Sequence, residues 1–411
     1  MKTQRAYPRF TVSKKAAQKL RNGEPWVYDN EITDTPETYE NGCLADVISE
    51  KGSYLGTGIV SEKSKIRIRI ISDNANDTFD ENFWRRRVKY AVDHRITVMG
   101  NDFSACRLIF GEADGFPGFT ADRYEDILSV QVLSFGMEKI KDIIYKALVS
   151  ELALHGVNIR GIMERNDVNL RTLEGLDEKK GWYRSAALPY PDNDNNTVTE
   201  ICENGIKYEV DVLNGQKTGF FLDQKYNRLA VAKIARGRRV LDCFTHTGSF
   251  ALNAAMGGAQ HVTAVDVSQL AVDTARANAR RNGLIDRMDF LCADVFDLLP
   301  ELSGQKEGYD FIILDPPAFT KSRKTVSSAS RGYKEINYRA MKLLPRGGYL
   351  ATCSCSHFMT RALFEKMLLE AAHDAGVRLK LIESRAQAPD HPVIMGTDGS
   401  DYLKFYLMQI I

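Results

Sequence analysis

VLDCFTHTGSFAL, residues 240–252, joins a short apolar run to a helical one through a turn that contains Gly248. A strand of this length with apolar residues throughout is one buried on both faces, as in a parallel sheet. The same unit then repeats. HVTAVDV leads into SQLAVDTARANARRNG, MDFLCAD into VFDLLPELS, YDFIILD into KEINYRAMKLL, and YLATCS into RALFEKMLLEAAHDAG, before two closing strands, RLKLIES and YLKFYLMQI. Strict β-α alternation from Gly237 onward predicts an α/β fold, a Rossmann-like, doubly wound and mostly parallel sheet with an antiparallel last strand. Its ligands belong at the carboxyl ends of the strands.

Working outward, the N-terminal stretch alternates with strand period in CLADVIS, YLGTGIV and KIRIRII, which predicts a small β-rich module over residues 1–75. Residues 76–190 mix helix (FWRRRVKYAVDHRITV, MEKIKDIIYKALVSELAL) and strand (ILSVQVL), and YPDNDNNTVT, dense in turn formers, reads as the linker to a third domain at 191–411. No apolar run approaches the roughly 20 residues of a membrane span, and the N-terminus has no signal-peptide core, so a soluble cytoplasmic protein is expected. The seven cysteines have neither disulfide-framework nor metal-ligand spacing, and no metal is expected. A net charge of +1 gives no global sign of a nucleic-acid partner. Local clusters do: Lys2 to Arg21 holds seven basic residues and no acid, and Trp84 precedes Arg85, Arg86, Arg87 and Lys89. For one such cluster alone, a solvated helix face explains as much.

The strands end in acids. Asp242, Asp266, Asp294 and Asp315 close four successive strands, a pattern that strand capping accounts for poorly. Gly248 lets the backbone bend before a helix whose free N–H groups can meet an anion. Asp266, about 20 residues further on, has the position of a ribose-binding acid. The first turn has no GxGxxG, and the third strand ends in Asp294, suited to an adenine amino group. Both facts favour S-adenosylmethionine over a nicotinamide cofactor.

The motifs QKTGFFLDQ (216–224), VLDCFTHTGSFAL (240–252), AVDVS (264–268), LDPPAF (314–319) and TCSCSH (352–357) are similar to those of class I S-adenosylmethionine-dependent RNA methyltransferases. In order and spacing they resemble the bacterial large-subunit (23S) ribosomal RNA cytosine-5 methyltransferases, and GEPWVYDNEI resembles the start of that family's PUA domain, an RNA-binding β-barrel. The resemblance implies a PUA domain, a mixed α/β middle domain from Phe79 to about Pro189, and a methyltransferase domain. It places the methionine end of the cofactor near Asp242, Phe244 and Gly248, the ribose at Asp266 and the adenine near Asp294, with Phe221 and Asp223 on the lid side. Gln216, Lys217 and Arg228 are further candidate contacts. The implied partner is 23S ribosomal RNA; homodimerisation is left open.

Cytosine C5 is a poor nucleophile, so its methylation calls for a thiolate that adds to C6 and a nearby acid. Cys353 and Cys355 follow the fifth strand, and alternation puts both on one face. The family's Ser-Cys-Ser element corresponds to Ser354-Cys355-Ser356 and implies Cys355, whereas a Thr-Cys element of another RNA cytosine methyltransferase group resembles Thr352-Cys353. Asp315 would bind the base edge and Phe319 would stack on an extracted base. Lys321, Arg323 and Lys324, in an acid-free stretch reaching Arg331 and Lys334, suit a phosphate-contacting loop. Competing readings are transfer to an exocyclic base nitrogen, a small-molecule methyltransferase, and a non-catalytic ribosome-assembly factor. His246, His357 and His391 are candidates for proton handling.

Overall fold

The computed structural model of the chain describes residues 5–303, 308–320, 322–397 and 400–411. The chain divides into two compact units: one contains the chain up to Ile201 with Val210–Leu222 and Pro389–Ser400, the other Cys202–Glu209, Asp223–Ala388 and Asp401–Ile411. Among the described residues no helix is long and apolar enough to cross a membrane.

The first unit carries two sheets. β1 (Arg9–Val12), β2 (Trp26–Tyr28), β3 (Ile32–Asp34), β4 (Leu44–Ser49), β5 (Tyr54–Val60) and β6 (Ile66–Ser72) pair in the order β2-β6-β5-β4-β1-β3. Alternation turns Phe10, Val12, Val27, Val47, Val60 and Ile68 into one core cluster, which α1 (Lys14–Arg21) completes with Ala16 and Ala17. The helix therefore leaves Lys14, Lys15 and Arg21 exposed.

Next come α2 (Glu81–Met99), β7 (Ala105–Phe110), β8 (Phe119–Tyr124), β9 (Ile127–Val132), α3 (Phe135–Leu154), β10 (Gly161–Asn166) and β11 (Lys179–Trp182), the strands ordered β11-β10-β9-β8-β7. Asp80 caps α2, its carboxylate accepting the Phe83 N–H at 2.9 Å. The basic run after Trp84 is largely matched locally: Arg85 pairs with Glu81, Lys89 with Asp93, and Arg87 donates to the Ile71 carbonyl. Arg85 and Lys89 thus form a solvated helix face, whereas Arg87 is half-buried. Deeper in this unit the Arg107 guanidinium grips Asp122 at 2.7 and 2.8 Å. Thr218 also donates to Asp122, and the Phe220 N–H donates to the Tyr124 hydroxyl at 3.0 Å. The Thr218–Phe220 backbone is thereby pinned by buried, satisfied groups.

In the remainder β12 (Val198–Glu203) pairs with β13 (Ile206–Asp211), and α4 (Lys225–Ile234) leads into the large sheet. Its elements are β14 (Arg239–Cys243), α5 (Ser249–Met256), β15 (His261–Asp266), α6 (Gln269–Arg281), β16 (Met288–Cys292), α7 (Val295–Leu302), β17 (Phe311–Leu314), α8 (Val326–Leu343), β18 (Tyr349–Ser354), α9 (Arg361–Ala375), β19 (Leu379–Arg385) and β20 (Lys404–Ile410). The strand order is β16-β15-β14-β17-β18-β20-β19. The first five strands are parallel and β20 runs antiparallel between β18 and β19, as the alternation predicts. All of β17 is buried, and Leu241, Ile312, Leu314 and Leu350 share a core cluster with Tyr333, Ile336, Phe364 and Leu368 from α8 and α9. Chain connections run outward in both directions from β14 and β17. The crevice between their carboxyl ends is where such sheets bind ligands.

One element differs from the sequence reading. α8 starts at Val326, well before KEINY, because Ala329, Tyr333, Ile336, Asn337 and Ala340 form a buried face at helical spacing. Arg331 and Lys334 therefore sit on a helix, and the loop before it is short.

Candidate active site

Asp242, next to last in β14, is completely buried. One carboxylate oxygen accepts the Thr245 hydroxyl at 2.6 Å and the Ala251 N–H at 2.9 Å; the other has no hydrogen-bond partner among the described residues. Burial pushes its carboxyl up to about 7, with Asp315 and Asp266 adding repulsion. The turn that follows holds Phe244 (φ 64°) and His246 (φ 51°) in strained left-handed backbone, and Gly248 (φ 81°) in a left-handed conformation that glycine takes without strain. At Gly248 a side chain is also excluded by space, since a Cβ would lie 2.9 Å from that of Ala275. Asp266, half-buried at the end of β15, accepts the N–H groups of His246 at 2.9 Å and Ser268 at 3.0 Å. Asp294 is exposed and caps α7 through the Phe296 N–H at 2.8 Å.

The second half of the site lies at the ends of β17 and β18. Asp315 accepts the Gln224 amide N–H at 3.0 Å, and the Gln224 carbonyl oxygen accepts from Asn227 at 2.6 Å, which fixes the orientation of the Gln224 amide. Burial and the neighbouring Asp223 raise Asp315 to about 6 against the pull of Arg228 and of hydrogen bonds from Cys353 and Gln224. Arg228 is buried with its partner Glu203 at 2.6 Å. The two cysteines differ in setting. Cys353 is 0% exposed and hydrogen-bonded to Asp315 and Gln224, and burial pushes its thiol well above the usual range. Cys355 lies beyond the strand and is half-buried. Its flanks are tied down: Ser354 donates to the Tyr333 hydroxyl at 3.1 Å, and Ser356 to the Thr320 carbonyl at 2.9 Å.

Phe319 is partly buried, its ring 4.6 Å from that of Tyr333 and 5.9 Å from that of Phe296. Arg323 and Lys324 are exposed in a short 3-10 turn, and Lys321 lies outside the described residues. Asp223 is buried and accepts the Tyr402 hydroxyl. In the first unit, Phe221 is half-buried with the Lys217 ammonium 4.4 Å from its ring centre, Gln216 is exposed and Phe220 is buried. His391 pairs with Asp390 at 2.8 Å there, a structural contact; His357 is exposed and His246 half-buried in its turn. Sequence reasoning missed Gln224, Asn227, Tyr333 and Lys404. The last carried a signal, a lysine opening a largely apolar strand.

Residues 182–407 match the S-adenosylmethionine-dependent methyltransferase family, and residues 10–73 match a PUA-like domain. The chain belongs to the S-adenosylmethionine-dependent methyltransferase family. This methyltransferase is 39% identical over 394 residues to a protein of Aliivibrio fischeri (strain MJ11) named Ribosomal RNA large subunit methyltransferase I, covering 95% of this chain and 96% of that one. A protein of the same name from Klebsiella pneumoniae (strain 342) is 37% identical over 411 residues, covering both chains fully. Among solved structures, a Streptococcus mutans chain described as an S-adenosylmethionine-dependent methyltransferase superposes with a TM-score of 0.81 at 24% identity, covering 98% of this chain and 99% of that one. A methyltransferase complexed with SAH superposes at 0.82 with the same identity and coverage. The methyltransferase's own residues suit its cofactor: an unpartnered buried carboxylate oxygen on Asp242 fits a cationic ligand, and half-buried Asp266 can accept hydroxyls.

Proposed function

We propose that this methyltransferase acts on large-subunit (23S) ribosomal RNA, methylating C5 of a cytosine, with Cys355 as nucleophile and Asp315 at the base edge. The observation that carries the reading is a half-exposed thiol just past the end of β18 and a raised carboxyl just past the end of β17, two strands paired in parallel. Both therefore lie at the carboxyl edge of the parallel strands, the side on which such sheets bind ligands. The buried, hydrogen-bonded setting of Cys353 favours Cys355 as the reactive one. The PUA-like domain and the large-subunit rRNA methyltransferase relatives favour RNA as substrate.

In this scheme the Cys355 sulfur, as thiolate, bonds to C6 and leaves C5 electron-rich. Asp242, Phe244, Gly248, Asp266 and Asp294 would hold the cofactor, with Asp223 on its lid side. When bound, the cofactor supplies an electrophilic methyl group and departs as a neutral thioether. C5 takes the methyl; a base then removes the C5 proton, the electron pair re-forms the C5–C6 double bond and the thiolate is expelled. Asp315, with its carboxyl near 6, can hold or share a proton with N3 or the amino group, while Gln224 keeps the carboxyl oriented. Phe319, braced by Tyr333, would form a wall for the base, and Arg323 and Lys324 would meet phosphates.

The test is product identity: undermethylated ribosomal RNA is incubated with labelled S-adenosylmethionine, digested to nucleosides and analysed by mass spectrometry. 5-Methylcytidine is expected, lost in Cys355→Ala. A methylated adenosine or guanosine formed by that variant as well would refute the covalent scheme.

A further inference from the structure

Lys404 opens β20, paired with Ser354 of β18 in the antiparallel ladder, and it is 2% exposed. Its ammonium donates to the Ser356 carbonyl at 2.6 Å and to the Tyr402 carbonyl at 2.7 Å. Ser354 and Ser356 are the two neighbours of Cys355, so the cation is anchored on the segment that carries that thiol. No carboxylate closes an ion pair with Lys404 among the described residues, a costly state for a buried charge. An apolar side chain would serve strand packing better. Two carbonyls occupy two of the three N–H donors and leave one for an anion.

Five charged or titratable groups surround this pair. Asp401 and Cys355 hold the Lys404 ammonium in its charged form, whereas burial and Arg361 oppose it, bringing it to about 8. Asp401 is exposed and lies 4.0 Å from Arg361. Tyr333 and Cys353 each feel the charge of Cys355, and that of Asp315 acts on both.

We propose that Lys404 is the fixed cation that keeps Cys355 ionised, a positioning residue that acts through the sulfur and does not touch the base. The inference rests on the reading of Cys355 as nucleophile. The thiol proton leaves to solvent at the half-exposed sulfur, and the ammonium keeps its three protons. A cation beside a thiol favours the thiolate and so raises its fraction at neutral pH.

The experiment is alkylation of the full-length protein with iodoacetamide across pH 5 to 9.5, followed at the Cys355 peptide by mass spectrometry. In the wild type the rate should inflect about one pH unit or more below the ordinary thiol value. Lys404→Met should slow Cys355 alkylation at pH 7 about tenfold, and Lys404→Arg, which keeps the charge, should stay nearer the wild type. Calorimetric titration with S-adenosylhomocysteine verifies that the variants are folded. Equal rates in wild type and Lys404→Met overturn the proposal, as does a wild-type inflection at or above the ordinary value. The wild-type profile decides even if Lys404→Met does not fold. An acidified Cys355 in a protein whose Cys355→Ala variant still makes 5-methylcytidine would instead remove the nucleophile reading and leave the ion contact standing.

Discussion

Replacing Asp242 by Asn should make the cofactor-free protein more stable while weakening its grip on the cofactor. The carboxyl is wholly buried and rises from the usual 3.8 to about 7. Above pH 7 its ionisation thus costs the fold about 4 kcal/mol. Because the folded value is the raised one, the cost is absent below the unfolded value, grows between the two and is complete above the folded one. The amide of Asn can still accept the Thr245 hydroxyl and Ala251 N–H through its oxygen, so the shape of the turn survives. Burying its NH2 group unpaired returns part of the gain, about 1–3 kcal/mol. Urea unfolding without cofactor should therefore show Asp242→Asn ahead by about 2 kcal/mol at pH 8, with that lead lost and then reversed toward pH 4. Loss of a carboxylate facing a cationic ligand should reduce S-adenosylmethionine affinity about 10- to 100-fold in calorimetry. A variant less stable than the wild type at pH 8, or a gain independent of pH, would refute the assignment of a strained, desolvated carboxylate.

Wild-type cofactor affinity should rise between pH 6 and 8 as Asp242 ionises, and Asp242→Asn should flatten that profile in the same titration. Gln224→Leu removes the donor that orients Asp315 and should lower kcat about 10- to 100-fold in the nucleoside assay while cofactor affinity is preserved. Gly248→Ala forces a Cβ into a left-handed turn and against Ala275; it should destabilise by about 1–2 kcal/mol on the backbone strain alone and weaken cofactor binding, both readable by thermal shift with and without S-adenosylhomocysteine.

The sheet was legible because its central parallel strands, β14, β17 and β18, are buried on both faces and read as largely apolar runs, and the acids near the ends of the successive strands mark the carboxyl edge. The start of α8 was hidden by Arg331 and Lys334, which lie on the outer side of a helix whose buried face is built from Ala329, Tyr333 and Ile336. Gln224 and Lys404 were not legible as site residues for a different reason. Gln224 reaches Asp315 across 91 positions and Lys404 reaches Ser356 across 48, and neither spacing has a local pattern. Strand period likewise gives Cys353 and Cys355 the same face. Their difference in burial arises where β18 ends at Ser354, so that only Cys353 remains within the ladder, opposite Phe405.

The central claim, a bond between Cys355 and C6 of a cytosine, can be tested by trapping. Ribosomal RNA transcribed with 5-fluorocytidine is incubated with the protein and S-adenosylmethionine, digested with ribonuclease and protease, and the cysteine peptides are weighed. Fluorine at C5 cannot leave as a proton does, so the methylated base should remain attached, and the adduct mass is predicted on the Cys355 peptide alone. An adduct on Cys353, or complete absence of adduct from RNA whose unfluorinated counterpart is methylated, would contradict the account.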